Sequence, residues 1–192
     1  MTASASGRGG RPAAAAPRIS DQALAAHPGS AGGPAPHTAR EISALVIMLR
    51  AARVSTIAIG HGRHATSRDA AAALTGAWNR AGGTVLDTVD WPARAASWLK
   101  PARQLVRACP DAWVIADNPA GCAQLARRLA EHEPWSAART FGTASAGHPD
   151  TAALAGSGLL DGLRGVTADG AGWQIANGVL SRARLTPWQL PL

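Results

Sequence analysis

Three short polar stretches carry the side chains of this sequence best suited to chemistry. The first runs from Gly60 to Ser67 and holds His61, Arg63, His64, Thr66 and Ser67. The second, Asp117 to Gly121, holds Asp117 and Asn118, and the third, Thr143 to His148, holds Thr143 and Ser145. Hydroxyls and a carboxamide donate and accept hydrogen bonds without carrying charge. A helix that begins after such a loop adds free N–H groups and the positive end of its dipole. Together these are the parts needed to hold the carboxylate or phosphate of a small polar ligand. The same residue types also cap helices and form turns, which Thr66, Ser67 and Asn118 would do with no ligand at all.

Sharper chemistries find less support. Gly60-His-Gly-Arg-His64 is neither G-x-G-x-x-G nor a P-loop ending in Lys-Ser/Thr. His61 and His64 stand three apart, but no third ligand follows at a fixed spacing, so neither a metal nor a cofactor is expected. Cys122 follows a strand-to-helix turn in Asn118-Pro-Ala-Gly-Cys, a place for a nucleophile, with His61 or His148 as its base. G-x-S-x-G is absent, and two cysteines, Cys109 and Cys122, make no disulfide framework. They read first as small buried hydrophobes. No catalytic residue is assigned.

The elements that must position these loops alternate regularly. Thr38 is an N-cap with Glu41 as its capping-box partner, opening a helix whose Ile42, Leu45, Val46 and Leu49 form one stripe. Val54 to Ile59 is a β-branched run that ends at Gly60, a strand. Ala65 to Ala81 is helical and stops at Gly82-Gly83. Thr84 to Val89 is a second strand. A helix follows Pro92 and runs through about Ala108, its regular part limited by Pro101. Ala112 to Ala116, Arg139 to Gly142 and Leu163 to Val166 are three further strands. Helices over Gly121 to His132 and Asp150 to Ala155 separate them, and Gly172 to Ser181 reads as a last helix. Strands alternating with helices predict a three-layer α/β/α domain, a flavodoxin-like or Rossmann-like lobe with a mostly parallel five-stranded sheet. In such sheets ligands bind beyond the carboxyl ends of the strands, where the strand order reverses. An order of 2-1-3-4-5 puts that crevice between the first and third strands.

Composition separates the ends of the chain from this domain. Residues 1–37 are rich in Ala, Gly, Pro and Ser, too poor in large apolar side chains to offset chain entropy. They read as a disordered basic tail with a short helix near Ser20–Ala26, capped by Ser20. The domain spans 38–181, and 182–192 reads as an irregular tail containing Trp188 and two prolines. The net charge is +7 in 192 residues. Four arginines against Asp21 put +3 of it in the first forty residues. Inside the domain the arginines are scattered, tyrosine is absent and Phe141 is the sole phenylalanine, so no aromatic ladder exists on which bases could stack. Nucleic acid is therefore not the expected partner, although the basic tail keeps that alternative open. Trp78, Trp98 and Trp113 fall on elements, while Trp91, Trp135 and Trp173 lie near element ends. No segment reaches the ~18 apolar residues of a membrane span and no signal-peptide h-region is seen. The location expected for the chain as written is the cytoplasm, or outside it if the start is misassigned.

Several of these pieces, in this order, resemble one lobe of the type-1 periplasmic binding proteins, the leucine and branched-chain amino acid receptors of ABC transporters. Val54-Ser-Thr-Ile-Ala-Ile-Gly followed by a helix ending Trp78-Asn-Arg-Ala-Gly-Gly-Thr-Val-Leu86 is similar to that family's strand, loop, helix, Ala-Gly-Gly and second strand. Ala108-Cys-Pro-Asp-Ala-Trp-Val-Ile115, Arg139-Thr-Phe-Gly-Thr143 and Leu160-Asp-Gly-Leu-Arg-Gly-Val-Thr167 are similar to its later strands. The resemblance covers about Arg40 to Thr167. It implies a non-catalytic solute-binding domain for a small polar ligand, with a second lobe, a second subunit or another copy of the chain completing it. Family members often carry Tyr-Gly at the first loop and an acid after the fourth strand's Gly-Thr; here those positions read Thr66-Ser67 and Ala144. The ligand-binding residues expected are His61, Thr66, Asn118 and Ser145. The alternative is a small α/β enzyme with a phosphate site, which requires His61, Arg63 and Asp117 to converge.

Overall fold

A computed structural model describes residues 18–92 and 97–183. Its helices begin where side chains satisfy their free amides. Helix α1 (Asp21–Ala26) is capped by Ser20, whose hydroxyl accepts from Ala23 N. Helix α2 (Ala39–Ala51) opens on a complete capping box: Thr38 Oγ1 accepts from Glu41 N at 3.0 Å and Glu41 accepts from Thr38 N at 3.4 Å. Strand β1 (Thr56–Gly62) leads into α3 (Ala65–Arg80), β2 (Thr84–Trp91), α4 (Leu99–Arg107), β3 (Ala112–Ala116) and α5 (Pro119–Leu129). Asn118 caps α5 by accepting from Gly121 N at 2.8 Å, with Pro119 in the first turn. Strand β4 (Thr140–Gly142), helix α6 (Pro149–Ala155) and strand β5 (Arg164–Val166) complete the expected alternation.

The sheet order is β2-β1-β3-β4-β5-β6-β7. Strands β1 to β5 pair parallel, so the order reverses between β1 and β3 as the alternation predicts. Two expectations are corrected. The sheet has seven strands, not five, because residues 172–181 form no helix. They belong to β6 (Gly172–Ala176) and β7 (Val179–Ala183), an antiparallel hairpin added to the β5 edge. Trp173 and Ile175 are buried and Gln174 is exposed, the two-residue period of a strand. Asn177 and Gly178 turn it with φ of 52° and 72°, the left-handed pair that a tight hairpin needs. Of the expected irregular C-terminal segment, 182–183 belong to β7 and 184–192 lie outside the described residues.

The second correction concerns residues 18–37, expected to be unstructured apart from a short helix near Ser20–Ala26, which forms as α1. They pack across the carboxyl ends of the strands. Ile19 is 3% exposed and Ser30 fully buried. Ile19 N donates to Gln124 Oε1 at 2.8 Å, Ala120 N to Ser30 O at 3.0 Å, and Asn118 Nδ2 to Gly32 O at 2.9 Å. The His27 ring lies 2.9 Å from an Asp150 carboxylate oxygen. Residues 1–17 of the expected tail lie outside the described residues.

Both faces of the sheet are buried. Ile57, Ile59, Val114 and Phe141 meet Leu45, Leu49, Leu74 and Trp78 of α2 and α3. Ala58, Trp113 and Ile115 meet Leu105, Leu125 and Leu129 of α4 and α5, with Trp91 and Trp173 in the same cluster. Burying a large apolar side chain completely contributes about 1.5–3 kcal/mol. Trp91 and Trp173, near element ends in the sequence, are therefore core residues. Trp173 reaches its place because Gly165 has no side chain: a Cβ there would sit 2.4 Å from the indole ring.

Candidate functional site

The carboxyl end of β3 delivers Asp117, the centre of the polar network at this end of the sheet. Its carboxylate is 2% exposed. Oδ2 accepts from Trp91 Nε1 at 2.7 Å, and Oδ1 accepts from Asn118 N at 2.8 Å and from Ser67 Oγ at 3.5 Å. Trp91 arrives from the end of β2, which lies beside β1. Its ring passes over Gly60, where a Cβ would meet it at 2.8 Å. Trp98, at the start of α4, lies tilted beside Trp91 with ring centroids 5.6 Å apart. Gly62 and Gly121 close around the carboxylate; a Cβ on either would come within 2.3 Å and 2.0 Å of its oxygens. Burial pushes the Asp117 carboxyl above the ordinary carboxylate range, opposed by its bonds from Trp91, Asn118 and Ser67.

Two cavities open at this end of the sheet. The larger, about 470 Å³, lies between α1 and the N-termini of α4 and α5, and is bounded by Ile19, Leu24, Trp98, Asp117, Asn118 and Gln124 among others. The smaller, about 160 Å³, lies at the ends of β3 and β4 and is walled by Thr66, Ser67, Thr143, Ser145 and Glu41. Residues 34–37 cover it. Glu41 is 2% exposed. Besides its capping bond, its carboxylate accepts from Ala144 N at 2.7 Å, tying the start of α2 to the loop after β4. Ser145 Oγ donates to Asp117 O at 2.9 Å and lies 3.0 Å from Thr143 Oγ1.

The four residues expected from the sequence are thus divided. Thr66 and Ser145 share the smaller cavity. Asn118 borders the larger one, with its carboxamide engaged by Gly121 N and Gly32 O. His61 lines neither cavity; it is buried in β1 with its Nδ1 2.8 Å from Gly62 O. Asp117 and Glu41 were not among the four. Asp117 could have been found as an acid ending a strand that is apolar throughout, whereas Glu41 was masked by its own capping box.

The convergence that an enzyme reading requires does not occur. Arg63 is turned to the surface, where its guanidinium donates twice to Asp90 at 3.0 and 3.2 Å. Asp117 is enclosed below, and His61 bonds to its own neighbour's carbonyl. The Cys122 thiol is 2% exposed. Burial, assisted by the charge of Asp117, pushes its pKa up to about 12, which opposes formation of the thiolate that a nucleophile needs. Among the described residues, no three His, Cys, Asp or Glu side chains gather as metal ligands would, and no helix is long and apolar enough to cross a membrane.

With this geometry in view, the relation to known structures is clear. The domain has the fold of one lobe of a type-1 periplasmic binding protein. It superposes on an extracellular ligand-binding receptor from Rhodopseudomonas palustris with a TM-score of 0.59 at 19% identity, covering 67% of this chain and 35% of that one. A substrate-binding periplasmic protein from Ralstonia solanacearum gives 0.59 at 16% identity, covering 69% and 37%. A branched-chain amino acid ABC transporter protein from Rhodospirillum rubrum gives 0.54 at 17%, covering 66% and 36%. The chain spans about a third of the length of these proteins. No family model matches the sequence. No curated protein matches it.

Proposed function

We propose that the domain is a non-catalytic binding module for a small polar ligand, held at the carboxyl ends of β3 and β4. The observation that carries this reading is the smaller cavity itself: four hydroxyl residues, Thr66, Ser67, Thr143 and Ser145, and the buried carboxylate of Glu41 face one space of about 160 Å³. Hydroxyls and a carboxylate together suit a ligand with several hydrogen-bond donors. Thr66 and Ser145 keep the role proposed from the sequence and Ser67, Thr143 and Glu41 join them, while Asn118 borders the other cavity with its carboxamide engaged. The names of the structural neighbours make amino acids the first class to try. Affinity is modest, because good small-molecule sites bury about 70–90% of their ligand and one lobe supplies part of such an enclosure.

A thermal-shift screen of the full chain with amino acids, amides, sugars and nucleotides tests the proposal. A ligand that binds only the folded form stabilises it by about 2.7 kcal/mol at a hundred times its Kd, which raises Tm by several degrees in a domain of this size. At least one class raises Tm in the parent, and Ser145→Ala together with Thr66→Ala abolishes the rise. No shift with any class would overturn the reading.

A further inference from the structure

The segment that crosses the carboxyl ends of the strands has an unusual way of being held. Residues 29–37 are tied to the lobe by isolated hydrogen bonds: Ala120 N donates to Ser30 O and Asn118 Nδ2 to Gly32 O. The Ser30 hydroxyl is buried with no partner among the described residues, and so is His64 Nε2, whose ring lies beside Gly33. Burying polar groups unpaired opposes closure. The segment's firm anchors lie at its two ends, Ile19 in the core and the Thr38 cap of α2. Between those anchors, Pro34 to His37 form the cover of the small cavity. A strap fixed at both ends and weakly latched in the middle opens locally at far less cost than the whole fold.

We infer that residues 29–37 are a latched cover that replaces, within this chain, the enclosing surface a second lobe would provide, and that access to the cavity requires the Asn118–Gly32 latch to open. The inference rests on the cavity being the ligand site, but its test needs no ligand. A cysteine is placed in the cavity wall as Ala70→Cys, in the full chain with Cys109→Ser, and its alkylation by iodoacetamide is followed by mass spectrometry. Buried Cys122 reports opening of the whole fold in the same sample. Asn118→Asp keeps an oxygen to cap Gly121 N and removes the donor to Gly32 O, placing a carboxylate against that carbonyl.

The expected result is that Asn118→Asp speeds labelling at position 70 at least tenfold while Cys122 stays protected. Equal labelling rates with and without Asn118→Asp would overturn the inference. So would acceleration of Cys122 and position 70 together, which marks loss of the fold and not of the latch. If Ala70→Cys does not fold, Ser145→Cys occupies the same wall and is read in the same way. A chain that passes this test yet shows no thermal shift keeps its cover and loses its proposed ligand, so the two ideas fail separately.

Discussion

The two ends of β3 each carry an aspartate, and they are built in opposite ways. At the amino end, Asp111 is exposed, and one carboxylate oxygen accepts from Ser55 N at 3.0 Å and Thr56 N at 2.8 Å. Asp111 N donates back to Thr56 Oγ1, and Arg139 Nε donates to the Asp111 carbonyl. Those amide bonds hold its carboxyl below the usual range. At the carboxyl end, Asp117 is buried in a cradle of glycines beside two cavities, and burial holds its carboxyl above that range. The first arrangement stitches strands together and leaves no space. The second keeps polar groups enclosed next to space, which is the condition for binding. The same residue type thus separates the closed end of the sheet from the end where the cavities lie.

The largest way to break this contrast is Gly121→Ala. The added methyl lies 2.0 Å from Asp117 Oδ2, and forcing a group into a packed polar site costs about 3 kcal/mol, against which alanine's better helix propensity returns about 1. A fall of roughly 2 kcal/mol or more in urea-unfolding stability is expected; an unchanged midpoint would mean that the cradle is loose. Trp91→Phe sharpens the comparison by removing one donor from the buried carboxylate. Losing a hydrogen bond to a charged group costs about 2 kcal/mol, and the Asp117 carboxyl rises further, since the Trp91 bond now pulls it down. Carboxyl infrared or NMR titration of parent and variant reads that direction.

The smallest effect is the opposed pH dependence of the two acids. Asp117 has its folded value raised above the ordinary 3.8. Its contribution to stability is fully present below that value and is lost as pH rises through the folded one. Asp111 has its folded value lowered from 3.8, so its contribution is present above 3.8 and is lost as pH falls through the folded one. Asp111 being exposed, its effect is further reduced by solvent screening. Denaturation midpoints from about pH 2 to 8 should show Asp117→Asn removing a decline on the high side and Asp111→Asn removing one on the low side. Both variants altering the same limb would erase the distinction.

What the sequence made legible follows periodic signals. Thr84 to Val89 and Ala112 to Ala116 announce strands and Thr38 with Glu41 a helix start, and these form where expected; the strand expected over Val54 to Ile59 forms a little later, over Thr56–Gly62, and the helix expected from Gly121 already begins at Pro119, behind the Asn118 cap. The hairpin over 172–183 carried its own signal in Asn177-Gly178, but in β6 the buried side chains are Trp173 and Ile175 and no described residue of β7 is buried, too few to separate the periods of helix and strand. Residues 18–37 have no period at all. They are fixed by Ile19 in the core, by His27 beside Asp150, and by the backbone carbonyls of Ser30 and Gly32, and a carbonyl leaves no mark in a sequence. The Asp117 site is similarly hidden, because Trp91 stands 26 residues away and reaches the carboxylate only through the pairing of β1 with β2.

The pairing of Trp91 with Trp98 has an optical consequence. An indole whose N–H is bound to a carboxylate absorbs and emits differently once that carboxylate takes up a proton. Its neighbour, 5.6 Å away, shares a cavity wall with Ile19, where the N-terminal segment enters the core. Charge on Asp117 and displacement of the N-terminal anchor therefore act on one pair of neighbouring indoles, and the difference spectrum between the parent and Trp91→Phe isolates Trp91, with its coupling to Trp98, from the other tryptophans without any added label.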